Sequence, residues 1–153
     1  GFGLFLSKGV AGIRGGKPVF IYNLLNLKRT IWSGPALGAG KHTIVFDFKS
    51  DGPGLGKGGT GVLSVDGKEA DRKHMEHTTP ITFAEDESFD VGQDTRTGVA
   101  MLEYRYDVPF EFTGKINKLT FNLGPEAKAA PESKAELAPV EAPEPDPIEA
   151  PKR

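Results

Sequence analysis

Cysteine is absent from this sequence of 153 residues. Its absence excludes a disulfide framework, a thiolate metal site and a thiol nucleophile, and it leaves the cellular compartment open. The three histidines offer little further metal-binding capacity. His74 and His77 would lie on opposite faces of a strand, which opposes a shared metal. His42 is in phase with the apolar Ile44 and Phe46, which predicts a histidine near the core with satisfied hydrogen bonds.

A strong charge of one sign and a long apolar run are also lacking. The net charge is -2 and the sequence pI is about 6.0, so the basic excess typical of nucleic-acid binding is missing. The densest apolar run, residues 19–25, is interrupted by Asn23 and is far shorter than the roughly 18 residues of a membrane span. We expect neither a nucleic-acid partner nor a membrane span.

A helical stripe is missing as well, and period-two alternation takes its place. The alternation is clearest over residues 41–49, where His42, Ile44, Phe46 and Phe48 share one face. Residues 119–123 alternate in the same way, and residues 19–24, 28–32 and 60–65 are also strand-like. Many short strands separated by turns predict an all-β fold, a two-sheet antiparallel sandwich of jelly-roll type.

Glycines mark the turns between these predicted strands. The Asp66-Gly67 pair predicts a type I′ hairpin, because both central positions of that turn need positive φ. Gly54, Gly56 and Gly59 spell the letters of a dinucleotide-binding motif, but that motif requires a helix to follow and a strand is predicted here. Lys57 precedes Gly58 where a phosphate loop needs Ser or Thr. A glycine-rich connection between two strands is therefore favoured.

The composition changes abruptly near Pro125. All 20 glycines and all aromatic residues lie before it, whereas residues 126–153 carry seven acidic and four basic side chains, six prolines and no aromatic ring. Such a segment cannot bury enough apolar surface to offset the loss of chain entropy. We predict a β-sandwich domain over residues 1–124 and a disordered Pro/Ala/Glu-rich tail over residues 125–153.

Acidic residues form the first group of candidate site residues. Glu85, Asp86 and Glu87 are consecutive, so on a strand they would point to both faces; a solvated turn is favoured over a glycosidase carboxylate pair. Asp90 and Asp94 are weak candidates for calcium ligands, with a plain polar loop as the favoured alternative.

Aromatic residues that carry a polar group form the second group of candidate site residues. Tyr22, Trp32, Tyr104 and Tyr106 could form a sugar-binding platform if two or three of them were exposed on one face. Burial in the core or at a domain interface is the favoured alternative, because aromatic residues dominate both.

Five runs in succession resemble the C-terminal region of large bacterial arylsulfatases. They are GGKPVFIYNLLNLKRT (15–30), AGKHTIVFDF (39–48), GPGLGKGGTGVLSVDGKE (52–69), ESFDVGQDT (87–95) and DVPFEFTGKINKLTF (107–121). The last run is the most specific. Together they cover essentially the whole predicted domain, and five ordered segments make a chance resemblance improbable.

The resemblance implies a β-sandwich similar to concanavalin-like and laminin-G-like folds, which packs on a catalytic domain absent from this chain. In that family a formylglycine, made within a C/S-x-P-x-R motif beside a calcium ion, hydrolyses sulfate esters. Ser33-Gly34-Pro35-Ala36-Leu37 is the nearest approach and ends in leucine instead of arginine. We therefore expect no catalytic residue and no cofactor on this chain, calcium only in the parent's catalytic domain, and a periplasmic or secreted location.

Two functions from different classes remain open. The first is a non-catalytic accessory domain of an arylsulfatase-like sulfuric ester hydrolase, which should expose an apolar surface that includes Leu24, Leu25 or Leu27. The second is a carbohydrate-binding module for a sulfated glycan, in which Lys28, Arg29 or Arg105 would meet the sulfates beside an exposed aromatic ring. The second requires these cations and an aromatic ring to converge on one face.

Overall fold

A computed structural model describes residues 1–7, 16–81, 88–96, 98–100, 103–104 and 107–124. The described residues form an all-β fold of antiparallel sheets without a helix. The strands are β1 (Phe2–Ser7), β2 (Lys17–Leu24), β3 (Lys28–Ser33), β4 (Ile44–Ser50), β5 (Gly59–Val65), β6 (Lys68–Met75), β7 (Gln93–Asp94) and β8 (Phe110–Glu111).

Two three-stranded sheets make up most of the described fold. The first sheet has the order β1-β2-β3 and the second has the order β4-β5-β6, while β7 and β8 pair with each other. In the first sheet Phe20 lies opposite Trp32. In the second sheet Phe46 lies opposite Leu63, and an irregularity follows between Leu63 and Ser64.

The core lies between the two sheets. Trp32 from the first sheet packs with Leu63 and Met75 from the second, and all three are buried. Phe20 stacks on Phe46 with ring centroids 3.5 Å apart and an interplanar angle of 9°. The sheets thus face each other as a sandwich, because period-two alternation gives each sheet one apolar inner face.

The outer face of the first sheet is also covered. Val19 and Ile21 are fully buried on that face, and the Phe5 ring packs edge-on against Tyr104 at 5.2 Å. A Cβ on Gly3 would lie 2.7 Å from the Val99 side chain. The described residues between 98 and 104 therefore lie against this outer face.

The predicted fold class and most predicted strands are confirmed. Residues 19–24, 28–32 and 60–65 fall within β2, β3 and β5, and residues 41–49 overlap β4. Asp66 and Gly67 both have positive φ, 50° and 77°, as the predicted hairpin turn requires. Residues 51–58 connect β4 to β5, which agrees with a glycine-rich connection.

One strand prediction is wrong, and two other predictions are not tested by the described residues. Residues 119–123 pair with no strand in the described part of the chain, because alternation makes a segment suitable for a sheet without supplying a neighbour. Jelly-roll connectivity stays a prediction, since each described three-stranded sheet joins consecutive strands. The predicted tail at 125–153 lies outside the described residues.

Candidate docking site at the β2–β3 turn

The turn between β2 and β3 presents leucine side chains to solvent. Leu25 is 52% exposed and Leu27 is 84% exposed, whereas Leu24 is half-buried. The Leu27 N–H donates to the Leu24 carbonyl at 2.8 Å and closes the turn. We refer to residues 24–27 as the leucine turn.

The backbone of the leucine turn is unusual for its residue types. Leu25 and Asn26 have φ values of 50° and 60°, the signs of a type I′ turn, in which Asn-Gly or Asp-Gly is the usual central pair. Asparagine tolerates this left-handed region, but leucine there is uncommon and costs roughly 1–2 kcal/mol. An exposed apolar side chain is thus held on a strained backbone. Residues in sparsely populated backbone conformations are concentrated at functional sites, ligand contacts among them.

A polar network beneath the turn holds it in this conformation. The Asn23 side chain accepts a bond from the Asn26 N–H at 2.9 Å and donates to the Asn26 side chain at 3.0 Å. Asn23 also donates to the Val99 carbonyl at 3.2 Å, which ties the turn to a segment 76 residues away. These bonds set the conformation in which Leu25 is presented.

Arg29 joins that network from β3. Its Nη2 donates to the Asn26 side-chain oxygen at 2.9 Å, and its Nε lies 3.3 Å from Glu103 Oε1. The two ion-pair side chains are only 17% and 24% exposed, so solvent screens this pair less than a fully exposed one. Arg29 is therefore occupied within the fold.

A second ion pair lies beside the turn on the opposite face of β3. Lys28 Nζ donates to Glu76 Oε2 at 2.9 Å, and both side chains are exposed. This hydrogen bond lowers the pKa of the Glu76 carboxyl below its ordinary value. The leucine turn is consequently an apolar tip with charged neighbours.

The aromatic candidates for a sugar platform are not brought together. Trp32 is fully buried and its Nε1 donates to the Gly61 carbonyl at 2.9 Å. The Tyr22 hydroxyl accepts a bond from the Thr79 N–H at 2.8 Å on the inner face. Tyr104 packs against Phe5 on the outer face, and Tyr106 lies outside the described residues.

The candidate cations do not converge either. Lys28 and Arg29 are adjacent on β3, so their side chains leave opposite faces of the sheet, and each has its own acidic partner. Arg105 lies outside the described residues. The sulfated-glycan hypothesis requires cations and an exposed aromatic ring on one face. Such a group is not formed by Lys28, Arg29, Tyr22, Trp32 and Tyr104.

The Asp90 side chain links Ser88 and Thr95 within one loop. Its carboxylate accepts bonds from Ser88 Oγ at 2.8 Å, from the Thr95 N–H at 3.0 Å and from Thr95 Oγ1 at 2.5 Å. The Thr95 hydroxyl is the main cause of the lowered pKa of Asp90. Asp94 lies in β7 opposite Phe110.

No metal-binding group is formed by the described residues. In this part of the chain no three His, Asp or Glu residues are grouped closely enough to hold a metal ion. The acidic run 85–87 lies outside the described residues.

Two histidines pair with aspartates on the second sheet. His42 lies 2.8 Å from Asp66 through Nδ1 and 3.1 Å from the Gly38 carbonyl through Nε2. Both neighbours are oxygen acceptors, so the imidazolium satisfies both, and the bond to Asp66 is the main cause of the raised pKa of His42. This confirms the predicted satisfied hydrogen bonds. His74 Nε2 lies 2.9 Å from Asp51 Oδ2.

Comparison with known proteins gives no match: neither a protein-family model, nor a curated protein, nor a solved structure matches this chain. Within the described residues no helix has the length and apolar character needed to cross a membrane. The sequence resemblance and the exposed leucine turn are therefore the two features that bear on the function of this chain.

Sequence reasoning named the leucines of this site but missed its supporting network. Asn23 and Asn26 flank the tip in the sequence, and their spacing is a signal for a polar turn. Glu103 and Val99 lie more than 70 residues away from Arg29 and Asn23 along the chain, and no local pattern indicates those contacts.

Proposed function

We propose that this chain is a non-catalytic accessory domain of an arylsulfatase-like sulfuric ester hydrolase, and that it packs on a catalytic domain through the leucine turn. The observation that carries the proposal is Leu25, an exposed leucine held at positive φ by hydrogen bonds from its neighbours. A preorganised apolar tip lowers the entropy cost of docking. The sequence resemblance supplies the class of partner.

The location of the turn supports this proposal. It lies at one end of the first sheet, with Arg29 and Glu103 on one side and Lys28 and Glu76 on the other. An apolar centre with a charged rim is the usual anatomy of a protein–protein interface. The two leucines would serve as anchors in a partner pocket, since buried anchors provide most of the binding energy.

Titration calorimetry with the catalytic domain of a bacterial arylsulfatase, prepared without its own C-terminal region, tests the proposal. We expect saturable binding that Leu25→Asp weakens at least tenfold, because aspartate tolerates positive φ but would bury a charge in the interface. Leu55→Asp is the matched control, since Leu55 is 66% exposed in a different loop, and it should leave the affinity unchanged.

Two results would overturn this assignment. Absence of binding for the unaltered chain would remove the partner class. Equal losses for Leu25→Asp and Leu55→Asp would remove the leucine turn as the contact. Circular dichroism of both variants should match the unaltered chain, because both side chains are exposed.

The sulfated-glycan module is the less favoured proposal. A shallow groove with two cations does exist on the outer face of the second sheet, and it is lined by Asp47, Phe48, Lys49, Thr60, Val62 and Arg72. However, Arg72 donates to both carboxylate oxygens of Glu69, and Asp47 opposes anion binding. A glycan array that includes sulfated polysaccharides should therefore give no saturable binding at physiological salt.

A further inference from the structure

In the part of the chain that the structure describes, strand β4 pairs with β5 alone and leaves one edge of the second sheet open. The Asp66 N–H donates to the Thr43 carbonyl, so the backbone groups of Thr43, and of every second residue after it, face β5. By alternation, the backbone groups of Ile44, Phe46 and Phe48 point away from β5. Within the described residues no backbone hydrogen bond reaches that edge. Open edges of this kind invite another strand.

The same chain contains an unpaired segment with strand character. Residues 115–123, here called the arm, are all exposed and belong to no sheet in the described part of the chain. The alternating apolar residues Leu119, Phe121 and Leu123 are 48%, 57% and 89% exposed. The arm therefore offers both an apolar face and unpaired backbone groups.

Within the described residues the arm pairs with no strand of its own molecule, the β4 edge included. The Phe121 ring contacts Phe89 at 5.5 Å, and Phe89 contacts Phe2 at 6.4 Å. Phe2 belongs to β1 and stacks on Phe20, which in turn stacks on Phe46 of β4. The arm is thus held by an aromatic ring contact and not by a backbone ladder, which leaves the β4 edge available to the arm of a second copy.

The two segments are complementary in one antiparallel register. If Leu119 lies opposite Phe46, Phe121 falls opposite Ile44 on the apolar inner face. The same register sets Lys118 opposite Asp47 on the outer face, and no described residue forms an ion pair with Asp47. Cross-strand apolar and opposite-charge pairs each stabilise a sheet.

We propose that the arm of one molecule adds as a fourth strand to the β4 edge of a second copy of this chain. The exchange is reciprocal, so a two-fold dimer closes the interface and uses both arms and both edges. Main-chain hydrogen bonds would supply affinity, and the Leu119–Phe46 and Lys118–Asp47 pairs would fix the register.

Engineered cysteines test the register directly, because the chain has no cysteine of its own. The double variant Asp47→Cys with Lys118→Cys should form an intermolecular disulfide with oxidised glutathione, since directly opposite Cβ atoms lie about 4.5–5.5 Å apart. We expect a covalent dimer on a non-reducing gel. Asp47→Cys with Asn122→Cys is the control and should crosslink at least tenfold more slowly.

Each other result of this crosslinking experiment overturns the proposal. A disulfide within one molecule would mean that the arm closes on its own β4 edge. Equal crosslinking in both variants would mean collision without a register. Failure of the first variant to crosslink, with both thiols titrating as free, would mean that the arm serves another partner.

Sedimentation velocity provides an independent readout without cysteines. The unaltered chain should show a dimer that grows with concentration. Leu119→Pro should reduce its association constant at least tenfold, since the Leu119 N–H would face Phe46 in the proposed ladder and proline removes that donor. Leu119→Val is the matched control and should retain the dimer, because valine keeps the N–H and an apolar side chain and favours strands. A chain that stays monomeric at hundreds of micromolar, or a dimer unaffected by Leu119→Pro, contradicts the proposal.

Discussion

Leu25 combines two properties that folding alone does not favour. Its backbone is in the left-handed region and its side chain is half exposed. A residue that adopts positive φ more readily, such as asparagine, would relieve strain at this position. The leucine thus gives up stability, and a docking role explains why an apolar side chain stands there.

We therefore expect Leu25→Asn to raise the free energy of unfolding by about 0.5–1 kcal/mol and to weaken docking. Urea unfolding at neutral pH measures the first effect. Leu27→Asn is the control, because Leu27 has no positive φ, and it should bring no gain in stability. A loss of stability in Leu25→Asn would mean that the leucine supports the fold.

The His42–Asp66 pair gives the fold a defined pH dependence. The pKa of His42 is raised, so its contribution is fully present below about pH 6.5, the ordinary histidine value, and is lost as pH rises through the raised pKa. The pKa of Asp66 is lowered by its bond to His42, so its contribution is lost as pH falls through that lowered value.

Nuclear magnetic resonance titration of the imidazole checks this pair. In Asp66→Asn the pKa of His42 should fall toward its ordinary value, because the carboxylate partner is gone. Asparagine keeps the positive φ of position 66 without strain, so the hairpin turn should survive. An unchanged His42 titration in this variant would mean that Asp66 does not hold the imidazolium.

Strand β5 shows how an element can be predicted while its packing cannot. The alternation in residues 60–65 predicts a strand, but glycine at position 61 would ordinarily weaken it. In the structure a Cβ on Gly61 would lie 2.6 Å from the Trp32 ring and 2.7 Å from the Phe46 ring. The glycine is needed because two aromatic rings lie against the strand.

Gly61→Ala should therefore lower the free energy of unfolding by about 1–3 kcal/mol through overpacking. Thermal or urea unfolding measures the change. Gly38→Ala is the control, since a Cβ there would meet nothing within 4 Å, and it should be close to neutral. A neutral Gly61→Ala would indicate that the rings move aside without cost.

The elements differ in how well the sequence predicts them. Local alternation and turn residues suffice for β2, β3, β5 and the Asp66-Gly67 turn, because these depend on neighbours in the chain. Residues 119–123 carry the same alternation and pair with nothing in the described fold. A strand needs a partner edge, and period-two alternation does not specify one.

At the scale of the whole molecule, the sandwich was predictable and the site's geometry was only partly so. The sequence named Leu24, Leu25 or Leu27 as exposed candidates; Leu25 and Leu27 are exposed, whereas Leu24 is half-buried. It also offered Trp32 as a sugar platform, and Trp32 is buried against Gly61. Exposure of an aromatic residue depends on what the opposite sheet contributes, which the strand's own sequence does not contain.

A hydrogen-exchange footprint of the complex with the truncated arylsulfatase catalytic domain tests the central claim most directly. Amides of residues 23–29 should become protected on binding, whereas those of the glycine-rich loop at 51–58 should exchange as in the free chain. Protection of the outer groove around Lys49 without change at the leucine turn, or a complex with no footprint on residues 23–29, would contradict the account.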